Sequence, residues 1–593
     1  MTIPRAEHPR PQFQRDNWQS LNGVWDFDFD FGLSGRERGW SQAPALTQQI
    51  TVPFCPESRL SGIGHTDFIP AVWYRRRLDV PAAWQPGRVW LHFGAVDYEC
   101  RAWVNGVAVG RHLGGSSSFH FDITEALTAT DNELVVEARD DTRSGLQPGG
   151  KQSHQLHSHG CHYTRTTGIW QSVWLEAIPT ACIANVRIVP DLDGARFVLT
   201  PTLENVRQGA RLRATLLAGI DSDQILRQVE AAGLSGAALS LNIDDPRAWS
   251  PADPHLYGLR FELLDAEGSV LDTVHSYAGL RKFHIEGHRF FLNNESIFLR
   301  LVLDQGFYAE GIWTAPTDND LRADIELSQA AGFNGARLHQ KVFEERFHYW
   351  ADRLGYLTWG EFSDWGLDFG QPLALHNHQR EWREVVLRDC NHPSIIVWTP
   401  FNETVGGARQ HTEAHHQALR EIYALTRALD PNRPCHDVSG YVHVVTDVFT
   451  VHDYEQNPQT FAARYAQVDV AAPSRAYVSQ QEHSIRWDGQ RPYVVDEYGG
   501  TWWVDGSGDE GTDRGAGWGY GNRPASLEEV YERIEGLTAV LLAHPDISGY
   551  CYTQLTDVEQ EQNGIYTYDR RPKFDGARLR AAFAAPAAIE ADR

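Results

Sequence analysis

Two short segments place glutamates where they can act as a catalytic pair. WTPFNE (398–403) ends in Asn402 and Glu403, and VVDEYGG (494–500) contains Glu497. Glycoside hydrolysis needs two carboxyl groups: one protonates the leaving oxygen, and the other attacks the sugar or activates water. Either glutamate alone is explained by a solvated surface position. Two of them, each flanked by amide or phenol donors, favour a catalytic pair.

A strand and helix rhythm after about residue 282 predicts how this pair is positioned. Eight apolar segments have the length of buried strands: 296–303, 333–338, 356–362, 394–401, 435–439, 448–454, 492–498 and 547–554. Amphipathic stretches between most of them predict helices. This alternation predicts a (β/α)8 TIM barrel over 282–593, with its chemistry at the carboxyl ends of the strands. Glu403 and Glu497 then lie at the tips of strands four and seven.

Short alternating runs upstream predict two further domains. Within 1–180, runs such as RVWLHFGAV (88–96) are separated by glycine and Asn-Gly turn signals, which is typical of an antiparallel β-sandwich. Residues 181–281 contain a second set, including ARFVLTPTL (195–203), and have the length of a small immunoglobulin-like β-sandwich. The chain is therefore predicted to be multidomain, with two β-sandwiches before the barrel.

The overall charge excludes several classes of partner. The chain has 593 residues, with 53 lysines and arginines against 78 aspartates and glutamates, and a formal net charge of −25. Such acidity offers no general attraction to nucleic-acid phosphates or anionic lipid, so neither is an expected partner. No window approaches 18 consecutive apolar residues and the N-terminus lacks an apolar leader, which predicts a cytoplasmic protein without a membrane span.

One histidine-rich segment suggests a metal site. His154, His157, His159, Cys161 and His162 carry the imidazole and thiol groups that zinc prefers. The segment lacks a second paired module, however, and the seven cysteines never form a CxxC pair. We therefore expect loop histidines and free thiols, with no metal and no cofactor.

The ordered motifs resemble those of glycoside hydrolase family 2, which includes β-galactosidases, β-glucuronidases and β-mannosidases. The resemblance covers nearly the whole chain, and the segments that carry it include NWQSLNGVWDF (17–27), RTTGIWQSVWLE (165–176), GFNGARLHQ (332–340), WTPFNE (398–403) and DEYGG (496–500). It implies that the first β-sandwich is a sugar-binding jelly roll. It also implies O-glycosyl hydrolysis with retention, through a covalent glycosyl-enzyme intermediate.

The resemblance implies a role for each residue of the catalytic motifs. Glu403 matches the acid/base and Glu497 the nucleophile. Asn402 is expected to hydrogen-bond the sugar 2-hydroxyl, and Tyr454 to orient the nucleophile carboxylate. As a general acid, Glu403 requires a raised pKa, so that it stays protonated until the leaving group departs.

Four further residues are expected around the bound sugar. Arg337 and His339 match a family arginine and histidine that organise the pocket floor, and Arg337 should help to keep Glu497 ionised. Asp304 follows strand one in a loop rich in aromatics and carboxylates. Trp502 can stack on a sugar face, because pyranose C–H groups match an aromatic face.

The segment EQNGIYT (561–567) predicts the class of sugar. In β-glucuronidases an Asn-x-Lys triplet at this place binds the substrate carboxylate, but here Glu561 and Asn563 occupy the triplet without a lysine. Because Glu561 should repel an acidic sugar, we expect an exo-acting enzyme for a neutral β-D-galactoside or α-L-arabinopyranoside. Open alternatives are a β-glucosidase or β-glucuronidase, a transglycosylase, and a non-catalytic carbohydrate-binding protein. Family members commonly form dimers or tetramers, so a homo-oligomer is expected.

Overall fold

The computed structural model describes residues 3–42, 45–84, 87–404, 412–479, 483–504 and 517–591. Within these residues the chain forms β-sheet domains first and a strand and helix domain last. No helix in the described ranges is both long and apolar enough to cross a lipid bilayer.

The first part of the chain is a β-sandwich. A four-stranded sheet has the order β1-β12-β5-β9, a six-stranded sheet the order β3-β2-β4-β10-β7-β8, and β6 pairs with β11. Trp25, Tyr74 and Phe93 lie in the core between them, so the predicted alternation buries one face of each strand. The strands are β1 Trp18–Ser20, β2 Gly23–Phe29, β3 Gln48–Val52, β4 Ala71–Leu78, β5 Arg88–Phe93, β6 Val96–Asp97, β7 Glu99–Val104, β8 Val107–Leu113, β9 Phe119–Asp122, β10 Asn132–Arg139, β11 Gly168–Ile169 and β12 Val173–Ile178.

The second part is the immunoglobulin-like β-sandwich. A three-stranded sheet, β13-β14-β17, packs on a four-stranded sheet, β16-β15-β18-β19, around Phe197, Tyr257 and Phe261. All pairs within these sheets are antiparallel. The strands are β13 Cys182–Asp191, β14 Arg196–Glu204, β15 Arg211–Leu217, β16 Ile225–Ala232, β17 Leu239–Asn242, β18 Tyr257–Leu264 and β19 Val270–Ala278.

The third part is the TIM barrel, entered through a small antiparallel sheet of β20 Phe283–Glu286, β21 Arg289–Leu292 and β22 Glu295–Ile297. Parallel strands follow in the order β26-β25-β24-β23-β29-β28-β27, and most of their residues are buried, as expected for strands covered on both faces. The strands are β23 Leu299–Asp304, β24 Gly335–Leu338, β25 Leu357–Glu361, β26 Ile395–Thr399, β27 Phe449–Asp453, β28 Tyr493–Gly499 and β29 Gly549–Thr553. The helices are α1 Asp318–Ala331, α2 Glu345–Leu354, α3 Pro372–Asp389, α4 Thr412–Leu429, α5 Pro458–Tyr465, α6 Leu527–Leu542 and α7 Gly576–Phe583.

The prediction of a strand at 435–439 is wrong, because this segment does not form a regular strand. Cys435 and Ser439 form only isolated parallel bridges, to β26 and to the residues just after it. The reason is Asp437, at the centre of the segment, whose carboxylate accepts hydrogen bonds from the backbone N–H groups of Val444 at 2.7 Å and of its neighbour. This local turn replaces a strand ladder, so the barrel sheet has seven regular strands in the described ranges.

One segment of the first sandwich, 145–165, lies against the barrel mouth. The N–H groups of Gly149 and Gly150 donate to the carbonyl oxygen of Trp365 at 2.8 and 3.1 Å. Gly150 has a φ of +55°, and a Cβ there would lie 2.7 Å from the carbonyl oxygen of Gln340. Only glycine permits this close approach, so the segment's path over the mouth is set by its backbone.

Candidate active site

The two predicted catalytic glutamates face each other at the barrel mouth. Glu403 follows β26 after a short loop, and Glu497 lies within β28. A carboxylate oxygen of each and a ring nitrogen of His452 all lie within 4.8 Å of one another. An oxygen-to-oxygen distance below this limit is well short of the roughly 6.5–9.5 Å gap of inverting glycosidases and is consistent with a retaining pair.

Glu403 is held in a backbone conformation that L-residues rarely adopt. Its φ is +51°, and its N–H donates to the carbonyl oxygen of Ser439 at 2.9 Å. Such strained residues persist only where the surrounding structure imposes them, and they cluster at functional sites. The hydrogen bond to the bridged segment 435–439 is one contact that imposes it.

Two donors hold the carboxylate of Glu497. Arg337, fully buried in β24, donates to Oε1, and the phenol of Tyr454 donates to Oε2. A second nitrogen of Arg337 donates to Glu361 Oε2 at 2.6 Å. These contacts orient the Glu497 carboxylate, which lines the cavity at the barrel mouth.

His452 links the two glutamates electrostatically. Its Nδ1 lies 2.7 Å from Glu403 Oε1 and 3.3 Å from Glu497 Oε2, and its Nε2 lies 3.3 Å from Asp496 Oδ1. Burial alone would lower the pKa of His452, but the three carboxylates raise it to about 10. The imidazole is therefore a cation at neutral pH.

The expectation of a raised pKa at Glu403 is wrong for this arrangement. Burial raises the pKa of that carboxyl, but the hydrogen bond from His452 and the charges of His452, Lys151 and Arg337 lower it overall. At neutral pH the proton of the pair resides on His452, 2.7 Å from Glu403 Oε1.

A small cavity of about 140 Å³ opens beside the pair. Pockets for drug-sized ligands usually measure roughly 300–1,000 Å³, so this one suits a single sugar ring. Five of the predicted site residues line it, namely His339, Glu403, Tyr454, Glu497 and Glu561. The other lining residues are Lys151, Cys161, Leu303, Gln305, Trp365, Tyr441, Tyr520 and Thr553.

The structure does not bring every predicted residue into this cavity. Asp304 points away from it and accepts a hydrogen bond from the N–H of Gly306, and burial raises the pKa of Asp304 to about 7. Alternation along β23 explains this, because its neighbours in sequence line the cavity instead. Trp502 also lies outside the lining, with the guanidinium of Arg523 5.1 Å from its ring centroid.

Two predicted amide residues lie behind the lining. Asn563 accepts from Gln554 Nε2 at 2.7 Å and donates to Glu561 Oε1 at 3.1 Å, so it positions Glu561. Asn402 accepts from Arg337 at 3.2 Å, and its buried Nδ2 has no hydrogen-bond partner among the described residues. That free Nδ2 is the donor that the predicted contact with a sugar 2-hydroxyl requires.

Lys151 is a site residue that the sequence reasoning missed. It comes from the sandwich segment 145–165, is 6% exposed, and its Nζ lies 4.0 Å from the ring centroid of Trp365. In the described part of the chain its Nζ has no hydrogen-bond or salt-bridge partner. Burial lowers its pKa, but Cys161, Glu561 and the catalytic carboxylates raise it overall, so the ammonium stays charged.

Of the two site residues that the sequence analysis missed, only His452 carries a signal in the sequence. His452 stands in the same VHDY motif as Tyr454, two positions earlier, and strand alternation would have placed both on one face. No local pattern marks Lys151, because another domain delivers it across the barrel mouth. The segment 561–567 has no lysine, but Lys151 supplies an ammonium to the same cavity that Glu561 lines.

The class of protein follows from this geometry. A TIM barrel with a close carboxylate pair at the ends of its strands, preceded by two β-sandwiches, defines a multidomain glycosidase. Residues 18–179 match the sugar binding domain of glycosyl hydrolases family 2, 181–281 match glycosyl hydrolases family 2, and 283–510 match its TIM barrel domain. The chain belongs to glycoside hydrolase family 2 and is a retaining glycoside hydrolase.

The chain is similar in sequence and in structure to several named glycosidases, although the sequence identities are low. A β-glucuronidase of Paenibacillus borealis is 25% identical over 95% of this chain and 96% of its own length. A β-galactosidase of Thermoanaerobacter pseudethanolicus is 28% identical over 74% of this chain and 56% of its own length. A structure of the β-glucuronidase from Ruminococcus gnavus in complex with D-glucuronic acid has a TM-score of 0.77 at 19% identity, covering 98% of this chain and 100% of that one. That likeness establishes the shared fold.

Proposed function

We propose that this hydrolase removes a single terminal β-linked hexuronic acid, as in a β-glucuronide. The observation that carries the proposal is the Lys151 ammonium, which is charged, lines the cavity and lacks a bonded partner among the described residues. A buried cation without a bonded anion is costly, and a substrate carboxylate would pair with it. The names of the Paenibacillus borealis and Ruminococcus gnavus relatives support the same class of sugar.

The proposed chemistry uses the pair already described. The Glu497 carboxylate, oriented by hydrogen bonds from Arg337 and Tyr454, attacks the anomeric carbon and forms a glycosyl ester as the bond to the leaving oxygen breaks. Glu403 delivers to that oxygen the proton that it shares with His452. The same carboxylate then takes a proton from water, which attacks the ester and releases the sugar with retained configuration.

A second candidate substrate is a neutral β-D-galactoside or α-L-arabinopyranoside. Glu561 favours it, because this carboxyl lines the cavity and is oriented by Tyr163 at 2.5 Å and Asn563 at 3.1 Å. Glu561 and Lys151 together offer a hydrogen-bond acceptor and a donor. A neutral sugar can use both, because each of its hydroxyl groups donates and accepts hydrogen bonds. Burial raises the pKa of Glu561, so its repulsion of a uronate is reduced when it is protonated.

A substrate panel tests the proposal. Nitrophenyl β-D-glucuronide, β-D-glucoside, β-D-galactoside and α-L-arabinopyranoside are compared by kcat/KM with the wild type and with Glu497→Gln. We expect the glucuronide to be the best substrate and Glu497→Gln to be inactive while remaining folded. A galactoside or arabinopyranoside preferred by tenfold or more would overturn the uronide proposal and support the second candidate.

Product analysis separates hydrolysis from transfer to a sugar acceptor. Free uronic acid should appear first as the β-anomer in proton NMR, since two displacements retain configuration. Longer oligosaccharides as the main products at low acceptor concentration would identify a transglycosylase. A Glu497→Gln variant with the same turnover rate as the wild type would contradict the role of this carboxylate as nucleophile.

A further inference from the structure

Three histidines converge at the rim of the active site. His154, His159 and His162 each offer a ring nitrogen, and the three atoms lie within 4.8 Å of one another. Their ring centroids are 4.9–5.2 Å apart. His159 and His162 are partly buried, and burial of an imidazole without a hydrogen-bond partner costs free energy.

The tautomer of His159 is set by Ser153. The Ser153 hydroxyl donates to the carbonyl oxygen of His157 at 2.8 Å, so its oxygen is free to accept from His159 Nδ1, 3.2 Å away. With its proton on Nδ1, His159 presents the lone pair of Nε2. A second hydrogen bond that fixes the ring and its tautomer is the usual companion of a metal-binding histidine.

The segment that carries the imidazoles is anchored before any ligand binds. His159 and His162 exchange both backbone hydrogen bonds at 2.9 Å across a tight turn. The carbonyl oxygen of Gly160, within that turn, accepts from Trp518 Nε1 and from Gln560 Nε2, each at 2.7 Å. Two of the three histidines therefore stand on a loop whose geometry the barrel fixes.

His162 adds an unsatisfied atom. Its Nδ1 is shielded from solvent and has no hydrogen-bond partner in the described ranges. His154 is exposed, so its side chain is free to rotate toward the other two.

We propose that His154, His159 and His162 form a binding site for a divalent transition metal ion of the zinc class. Imidazole nitrogens bind zinc at about 2.0–2.1 Å, which places tetrahedral ligand atoms about 3.3 Å apart. The three ring nitrogens already lie within 4.8 Å of one another, and rotation of the exposed His154 ring can bring its nitrogen closer to the other two. Three protein ligands leave the fourth position to water or to a polar group of the leaving portion of the substrate.

The site lies next to the sugar cavity but is separate from the catalytic pair. Cys161, between two of the proposed ligands, lines the cavity, and the ring of His162 lies 5.3 Å from that of Trp365. The Lys151 ammonium disfavours a second cation nearby, whereas Glu403 and Glu561 offset that charge. None of the three proposed ligands belongs to the catalytic pair, so metal binding at the rim does not depend on which sugar the cavity takes.

Metal binding is measured directly on the full chain without an affinity tag. Chelator-stripped protein is dialysed against zinc, and bound metal is counted by mass spectrometry. The variants are His159→Ala and His162→Ala, with His157→Ala as the matched control from the same segment. Glu497→Gln is included, since Glu403, His452 and Glu497 form another group of three candidate ligand atoms in the described ranges.

We expect one equivalent in the wild type, in His157→Ala and in Glu497→Gln, and none in the two ligand variants at the same free zinc concentration. Ser153→Ala should weaken binding by roughly 10–100-fold, as loss of an outer-shell partner does. Zinc should also raise the unfolding temperature of the wild type and not that of His159→Ala. Full binding by His159→Ala, or loss confined to Glu497→Gln, would overturn the proposal.

Discussion

Replacing Lys151 by methionine separates the two candidate classes of sugar. Nitrophenyl β-D-glucuronide and β-D-glucoside differ only at C6, where one carries a carboxylate and the other a hydroxymethyl group. Truncating one partner of a buried charge pair costs about 2–5 kcal/mol, which is roughly 30- to 5,000-fold in kcat/KM. A glucoside loses at most one hydrogen bond from the ammonium to a hydroxyl, about 1.5–3 kcal/mol or roughly 13- to 160-fold.

The structure adds a second reason for a large effect on the glucuronide. Lys151 is 6% exposed, and without its charge the cavity retains the carboxyl groups of Glu403, Glu497 and Glu561. An acidic sugar would then enter a site of unbalanced negative charge. The kcat/KM for the glucuronide divided by that for the glucoside should therefore fall by about tenfold or more in Lys151→Met.

The control is Lys282→Met, which removes a half-exposed lysine whose Nζ pairs with Asp193 at 2.7 Å, away from the cavity. Both variants are compared with the wild type by initial rates and by circular dichroism, which checks the fold. A ratio that stays within about threefold of the wild type would refute the reasoning from the ammonium to the uronide. A larger loss on the glucoside than on the glucuronide would do the same.

Three further changes probe the acid, the cation and the domain interface. Glu403→Gln should slow a methyl glycoside about 10²- to 10⁴-fold and an activated aryl glycoside much less, because only the poor leaving group needs the proton; equal losses would contradict the acid role. Burial lowers the pKa of His452, but the surrounding carboxylates raise it overall to about 10. The protonated imidazole therefore stabilises the folded state fully below pH 6.5, and this contribution is lost as the pH rises through 10. The wild type should thus lose more thermal stability between pH 7 and 10 than His452→Asn, and parallel curves would count against this. Arg15→Met should cost about 3–5 kcal/mol in unfolding free energy, since buried Arg15 pairs with Glu176 at 3.0 Å and Asp272 at 2.9 Å; a denaturation midpoint unchanged from the wild type would exclude that contribution.

Local patterns were sufficient to predict the architecture and to place two glutamates close together at the barrel mouth. Alternation of apolar residues marks the sandwich strands, and runs buried on both faces mark the parallel strands, because these periodicities follow from backbone geometry alone. The same logic places Glu403 and Glu497 at one edge of the sheet, since the carboxyl ends of parallel strands meet there. It failed at 435–439, where the side chain of Asp437 takes up backbone donors in a turn.

The electrostatics of the site were decided only by tertiary structure. Sequence motifs required a protonated Glu403, but the charge of His452 at 2.7 Å lowers the pKa of that carboxyl. Distance and burial set such shifts, and neither can be read from residue order. The cavity-lining ammonium has the same origin, because a backbone contact through Gly150 carries Lys151 from another domain to the cavity.

The sequence by itself thus determined the family and the retaining chemistry and predicted the two carboxyl groups, because these inferences depend on motifs read along one strand at a time. Only the folded chain decided which charges surround the sugar and which histidines meet at its rim. Lys151 and the group of His154, His159 and His162 approach the barrel through the path of the segment 145–165. That path depends on contacts between residues distant in sequence, and no local periodicity encodes such contacts.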